Sequence, residues 1–181
     1  RKNMVLWNGA CHVHEEFSLE AIVRLKAENP AAKVVVHPEC KAAIVADINT
    51  WPALGEKVYE VMQQAGIPVE KYIIDKEEFH ADWKYVEMVD RVIEGDFAAA
   101  KALEDSTDYV DTLPEKLFRE ASADFNVLVS VGSGVINDLC KLASHHHAQS
   151  YICVATAASV DGYSSFGASI TYENAKQTFT C

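Results

Sequence analysis

The stretch VGSGVIND, Val131–Asp138, places Gly132, Ser133 and Gly134 where an apolar run meets a helical one. Glycines let a backbone approach an anion closely, and the free N–H groups and dipole of a helix start favour a phosphate there. The spacing lacks the third glycine of a dinucleotide fingerprint and the lysine of a P-loop, so a phosphate turn and a plain tight turn both stay open. Asp138 is expected in the first helical turn, as a partner for the helix dipole. Further on, VATAASVDGYSS gathers Thr156, Ser159, Asp161, Ser164 and Ser165 after another apolar run, either as a ligand-binding strand end or as a polar loop turning at Asp161-Gly162. Near the start, VLWNGACHVHEEF offers Cys11 with His12 and His14, a set suited to a metal or cluster site or to the polar rim of a strand end.

These residues need elements to position them, and the hydrophobic pattern supplies α/β order throughout. MVLW, a helix N-capped by Ser18 and stopped at Asn29-Pro30, and the β-branched run in AKVVVHPE form a first βαβ unit. The segment AAIVAD suits strand or helix by composition. The strand is favoured because an amphipathic helix follows, carrying Leu54, Val58, Val61 and Met62 and ending at Gly66, and then the strand KYIID. A helical stretch from about residue 82 to 121 shows Val86, Val89, Val92 and Ile93 on one face, with Leu113-Pro114 marking a further helix start. The buried strand NVLVSV, the glycine turn with its helix, and the strand YICVATAAS complete the order. The expected fold is a mostly parallel, Rossmann-like sheet with helices on both faces, preceded by the βαβ fragment. The triplet His145–His147 after a helix is expected to be solvated.

Composition excludes several functions. The chain has 181 residues, 49% of them hydrophobic, enough for one sizeable core. Acidic residues outnumber basic ones 27 to 16, a net charge of −11, so the electrostatic footprint for nucleic acid or an anionic membrane is missing. No apolar run is long enough to span a bilayer, and the expected location is cytoplasmic. Five scattered cysteines without a CxxC pair point to reduced thiols. Starting without Met and stopping at KQTFTC, the chain reads as a segment of something longer.

From Ile44 onward, IVADINTWPALGEKV, FHAD, VGSGVINDLCKLAS and VATAASVDGYSSFGASIT resemble sn-glycerol-1-phosphate dehydrogenase, of the glycerol dehydrogenase and dehydroquinate synthase superfamily. The resemblance implies NAD(P)H-dependent reduction of dihydroxyacetone phosphate, a step of phospholipid biosynthesis, with Gly132, Ser133, Gly134 and Asp138 at the cofactor pyrophosphate. It implies Asp47 at the adenosine ribose, Thr156, Ser159 and Ser165 as further cofactor contacts, and Asp161 at the substrate. The family also implies a divalent metal, commonly zinc, but draws its aspartate and histidine ligands from beyond the stretch seen here.

Residues 3–44, with W-x-G-x-C-x-V-H and HPEC, resemble instead the middle of quinolinate synthase, which condenses iminoaspartate with dihydroxyacetone phosphate on a [4Fe–4S] cluster held by three cysteines. That resemblance implies Cys11 as a cluster ligand and His37 and Glu39 at the substrate, with no partner thiolates for Cys11. The expected division is therefore a fragment over 1–43 and a dinucleotide-binding domain over 44–181. The leading expectation is the nucleotide-binding half of the dehydrogenase. A quinolinate synthase fragment and a non-catalytic dinucleotide-binding module or chimera are the alternatives, and homo-oligomerisation is open.

Overall fold

The structure is a computed structural model that describes residues 41–107 and 123–181. The chain divides into two units, Arg1–Val35 and Val36–Cys181, and the described residues belong to the second. The expected first βαβ unit, the helix start at Leu113-Pro114, and the candidate residues Cys11, His37 and Glu39 lie outside the described residues.

Strand β1, Ala42–Asp47, is buried at every position, which explains its continuous apolar run. A wide helical turn at Trp51–Gly55 leads into α1, Glu56–Gln64, and Gly66 ends it with a φ of 76°, a left-handed conformation that favours glycine. Strand β2, Val69–Ile74, is followed by α2, Trp83–Ile93, and α3, Phe97–Asp105. Strand β3, Val127–Gly132, turns directly into α4, Gly134–His146, which returns to β4, Tyr151–Ala155. The hairpin of β5, Gly167–Tyr172, and β6, Ala175–Thr180, closes the chain. Its two turn residues, Glu173 and Asn174, have φ of 49° and 59°, as a tight hairpin turn with the strands' own twist requires.

The sheet runs β2-β1-β3-β4 with every pairing parallel. On one face Ile44, Ala46, Val129 and Val131 meet Trp51, Leu54, Val58 and Met62 from the turn and α1. On the other, Ala43, Val45, Ile74 and Leu128 pack under α2, α4 and the hairpin, where Val86, Val89, Val92 and Ile93 are all fully buried. The expected α/β fold with helices on both faces is thus what the described residues form. Val61, read as part of the inner stripe of α1, is instead 56% exposed.

Two local expectations fail for tertiary reasons. The apolar run of β4 suggested a buried strand, yet among the described residues β4 is the sheet edge, and Ile152 and Cys153 are exposed. The histidine triplet is not a solvated tail. His146 is 2% exposed, its Nδ1 lies 3.1 Å from Oδ2 of Asp90 on α2, and its ring packs 5.6 Å from that of Trp83.

Candidate functional site

Two strand ends define where a ligand can sit. The connection from β1 to β2 leaves on the α1 face, whereas that from β3 to β4 runs through α4 on the opposite face. Between β1 and β3 the chain directions therefore diverge, and the crevice outside such neighbouring carboxyl ends is where open parallel sheets bind ligands. Val45 stands beside Ser130, so Asp47 and Gly132 lie two residues further on, at adjacent strand ends.

At Gly132 the chain has no space for a side chain, since an added Cβ would collide with Cβ of Ile136 and lie 2.6 Å from its Cγ1. The glycine is thus required by the close passage of β3 into α4. Ser133 is the N-cap in extended backbone, and its hydroxyl caps none of the first N–H groups, although its carbonyl accepts from the Asn137 N–H at 3.0 Å. The first N–H groups of a helix have no partner within it, so this 13-residue helix presents donors and the positive end of its dipole at the turn. At Gly134 an added Cβ would meet only Val160, at an ordinary 3.6 Å, so bulk there projects toward the loop and not into the core.

The loop after β4 is tied to this turn. The Thr156 N–H donates to the Gly132 carbonyl at 3.1 Å. Tyr163 accepts from the Ala157 N–H at 3.2 Å, and its hydroxyl hydrogen can reach the carbonyl of Gly132 at 3.3 Å or that of Ala157 at 3.2 Å. Gly134, Asp138, Asp161 and Ser165, all singled out from sequence, line one cleft of about 340 Å³, with Val160 and Phe166 as its apolar wall. Phe166 is 76% exposed at that wall.

Other candidates sit differently. Asp47 is buried, and its Oδ1 accepts from the N–H groups of Asn49 and Thr50, both at 2.8 Å, so this oxygen caps the turn that follows β1. Ser159 is exposed and does not line the cleft. Asp138 lies beyond the first turn of α4, and its Oδ2 accepts from the Ser169 N–H of the hairpin at 3.1 Å. It does not serve the helix N–H groups as expected, because the hairpin draws it sideways. Burial pushes its carboxyl above the usual aspartate range, opposed in part by the Ser169 N–H and by Lys141.

Two residues of the site were not singled out in the sequence. Tyr163 carried no local signal beyond its place in the loop. Lys141 stands three residues after Asp138 and is 6% exposed, and its partners come from the far loop. Among the described residues no group of three or more His, Cys, Asp or Glu is placed to hold a metal ion. No helix among them is long and apolar enough to cross a membrane.

A parallel α/β sheet with a glycine turn into a helix at its switch point is the class these features define. The chain belongs to the iron-containing alcohol dehydrogenase family, which it matches over residues 26–181. Its fold is also that of a solved glycerol dehydrogenase from Schizosaccharomyces pombe, with a TM-score of 0.54 at 19% identity over 79% of this chain and 29% of that one. Among curated proteins it is 29% identical over 136 residues to a glycerol-1-phosphate dehydrogenase [NAD(P)+] of Halalkalibacterium halodurans, covering 75% of this chain and 28% of that protein. It is also 45% identical over 49 residues to a quinolinate synthase of Rippkaea orientalis, covering 27% of this chain and 15% of that protein. Both resemblances carried by the motifs are thus found, and the chain spans under a third of each relative.

Proposed function

We propose that this chain supplies the dinucleotide-binding part of an NAD(P)H-dependent enzyme reducing dihydroxyacetone phosphate to sn-glycerol 1-phosphate. The observation that carries this reading is Gly132: a glycine with no room for a Cβ, ending a parallel strand at the switch point and feeding an uncapped helix start. In this reading the Ser133–Gly134 backbone and the first N–H groups of α4 hold the pyrophosphate, which an anion-favouring helix dipole supports. Asp47 accepts from the adenosine ribose, and its carboxylate favours NAD over NADP because it repels a 2′-phosphate. Thr156, Ser159 and Ser165 orient the nicotinamide end, and Asp161 meets the substrate. When bound, the reduced nicotinamide supplies a hydride.

Zinc is different. Among the described residues no group fits a metal centre, so no step is routed through one of them as a metal ligand. The same reading includes a cytoplasmic location, and a homo-oligomer is compatible with it.

The quinolinate synthase match supports a second reading, which we apply to the N-terminal segment that carries the motifs. We read it as a motif-bearing fragment without a cluster, since Cys11 alone cannot hold [4Fe–4S].

Calorimetric titration with NADH and NADPH tests the leading reading. The chain is expected to bind NADH, and Gly134→Val, whose side chain enters the cleft, is expected to weaken binding by at least tenfold with the fold intact. Equal affinity in the variant removes the phosphate assignment.

A further inference from the structure

Lys141 is a charged side chain held almost completely out of water. A buried ammonium is costly unless its donors are matched, and here each of them is. Its Nζ donates to the carbonyl of Gly162 at 3.3 Å, to Oγ of Ser165 at 3.0 Å and to the carbonyl of Gly167 at 3.2 Å. A lysine has three donors, so none is left for a ligand. The carboxylate of Asp138 stands 3.8 Å from the same nitrogen, one helical turn back, and balances its charge. That carboxylate in turn holds the Ser169 N–H.

The partners share one feature: they belong to the segment 162–169, which runs from the end of the polar loop into the first strand of the hairpin. This segment carries Ser165 and Phe166 into the cleft and follows directly on Asp161, whereas Lys141 and Asp138 project from the helix that begins at the glycine turn. Ser165 is itself committed inside the loop, with Oγ 2.9 Å from the carbonyls of Gly162 and Gly167. A neutral apolar side chain at position 141 would leave both of those carbonyls without their ammonium donor.

We propose that Lys141 is a positioning residue: its ammonium latches the 162–167 loop to α4, so that the wall of the cleft carrying Asp161, Ser165 and Phe166 is held in register with the glycine turn. The proposal rests on the dinucleotide reading of that turn. It assigns Lys141 to the geometry of the site and not to contact with the phosphates, because its donors are already spent.

Hydrogen exchange read by mass spectrometry, together with calorimetric titration of NADH, tests this on the full 181-residue chain. In Lys141→Met, the Ser165 amide, which donates to the Gly162 carbonyl at 3.1 Å, should lose at least tenfold in protection. Amides of β3 and α4 should keep theirs, and NADH affinity should fall at least tenfold. Lys141→Arg, which retains charge and donors, should recover part of both losses, a rescue that loss of packing alone would not give. Unchanged loop protection in Lys141→Met overturns the latch, and lost protection with unchanged affinity overturns the positioning role. Should Lys141→Met fail to fold, Ser165→Ala removes one acceptor and leaves the lysine on its two carbonyls. A smaller loss of loop protection is then expected, and unchanged protection overturns the proposal. A wild-type chain that binds no NADH would sink the dinucleotide reading instead, while the exchange pattern still decides the latch.

Discussion

Replacing Gly132 with alanine is the sharpest test of the glycine turn, because one methyl group meets atoms that have no freedom to retreat. The added carbon would collide with Cβ of Ile136 and sit 2.6 Å from its Cγ1 and 3.0 Å from its Cγ2. Ordinary contact between carbons is about 3.5–4.0 Å, so Ile136 or the strand end must move by roughly 1 Å. Ile136 is fully buried among the side chains under α4, and a β-branched residue in a helix has one strongly preferred rotamer, so it cannot swing aside. Overpacking of this kind costs about 1–3 kcal/mol. At ~2–4 °C per kcal/mol for a chain of this size, the melting temperature should fall by roughly 2–12 °C. A shift at Gly132 also displaces the carbonyl that receives Thr156 and Tyr163, so NADH affinity should fall as well. Gly134→Ala is the internal control: its Cβ meets Val160 at 3.6 Å, and its stability should stay within about 0.5 kcal/mol of wild type or rise, since alanine is the better helix former. Urea and thermal unfolding of the two variants read the difference. A Gly132→Ala protein as stable as Gly134→Ala would refute the steric reasoning and remove the main structural support for the turn.

Asp138→Asn keeps an acceptor for the Ser169 N–H but removes a carboxyl whose titration burial has raised. A raised acid favours folding below its ordinary value of 3.8 and loses that contribution as pH rises through the raised one. The stability difference should therefore move in favour of the variant with rising pH, and urea unfolding from about pH 3 to about pH 7 that shows a flat or opposite trend contradicts the assignment. Asp90→Ala leaves Nδ1 of the buried His146 without its carboxylate and should cost about 1–3 kcal/mol, with a double-mutant cycle against His146→Ala giving a coupling above ~0.5 kcal/mol; additive losses would mean the two do not act together. Anaerobic reconstitution with iron and sulfide should leave no stoichiometric [4Fe–4S] absorbance, and a cluster that disappears in Cys11→Ser would overturn the reading of the N-terminal segment. With NADH, dihydroxyacetone phosphate and added zinc, no turnover is expected, since losing an electrostatic stabiliser of the carbonyl oxygen commonly costs on the order of 10²–10³ in rate; zinc-dependent oxidation of NADH would show that metal ligands had been missed.

Local pattern alone determined the order of strands and helices from β1 to β4. The continuous apolar runs of β1 and β3, the amphipathic stripe of α2 and the glycines of the β3–α4 turn are properties of neighbouring residues, and neighbours set backbone geometry and helix periodicity. The hairpin was less legible: the order read from the sequence ended at YICVATAAS, although buried Ala168, Ile170 and Tyr172 alternate along β5 as a half-buried strand should. What a side chain meets is another matter, because it depends on segments distant in the chain. Nothing near His146 announces Asp90, 56 residues away, and the usual behaviour of a histidine triplet is to stay in water. Asp138 looked like a partner for its own helix start until the hairpin supplied the Ser169 N–H, and the run in β4 looked buried because hydrophobicity does not reveal which strand forms the edge. The turn was legible because steric and hydrogen-bond demands act between adjacent residues. The latch at Lys141 was not, because a lysine on a helix becomes buried and saturated only when the fold brings three acceptors from residues 162–167 to its nitrogen.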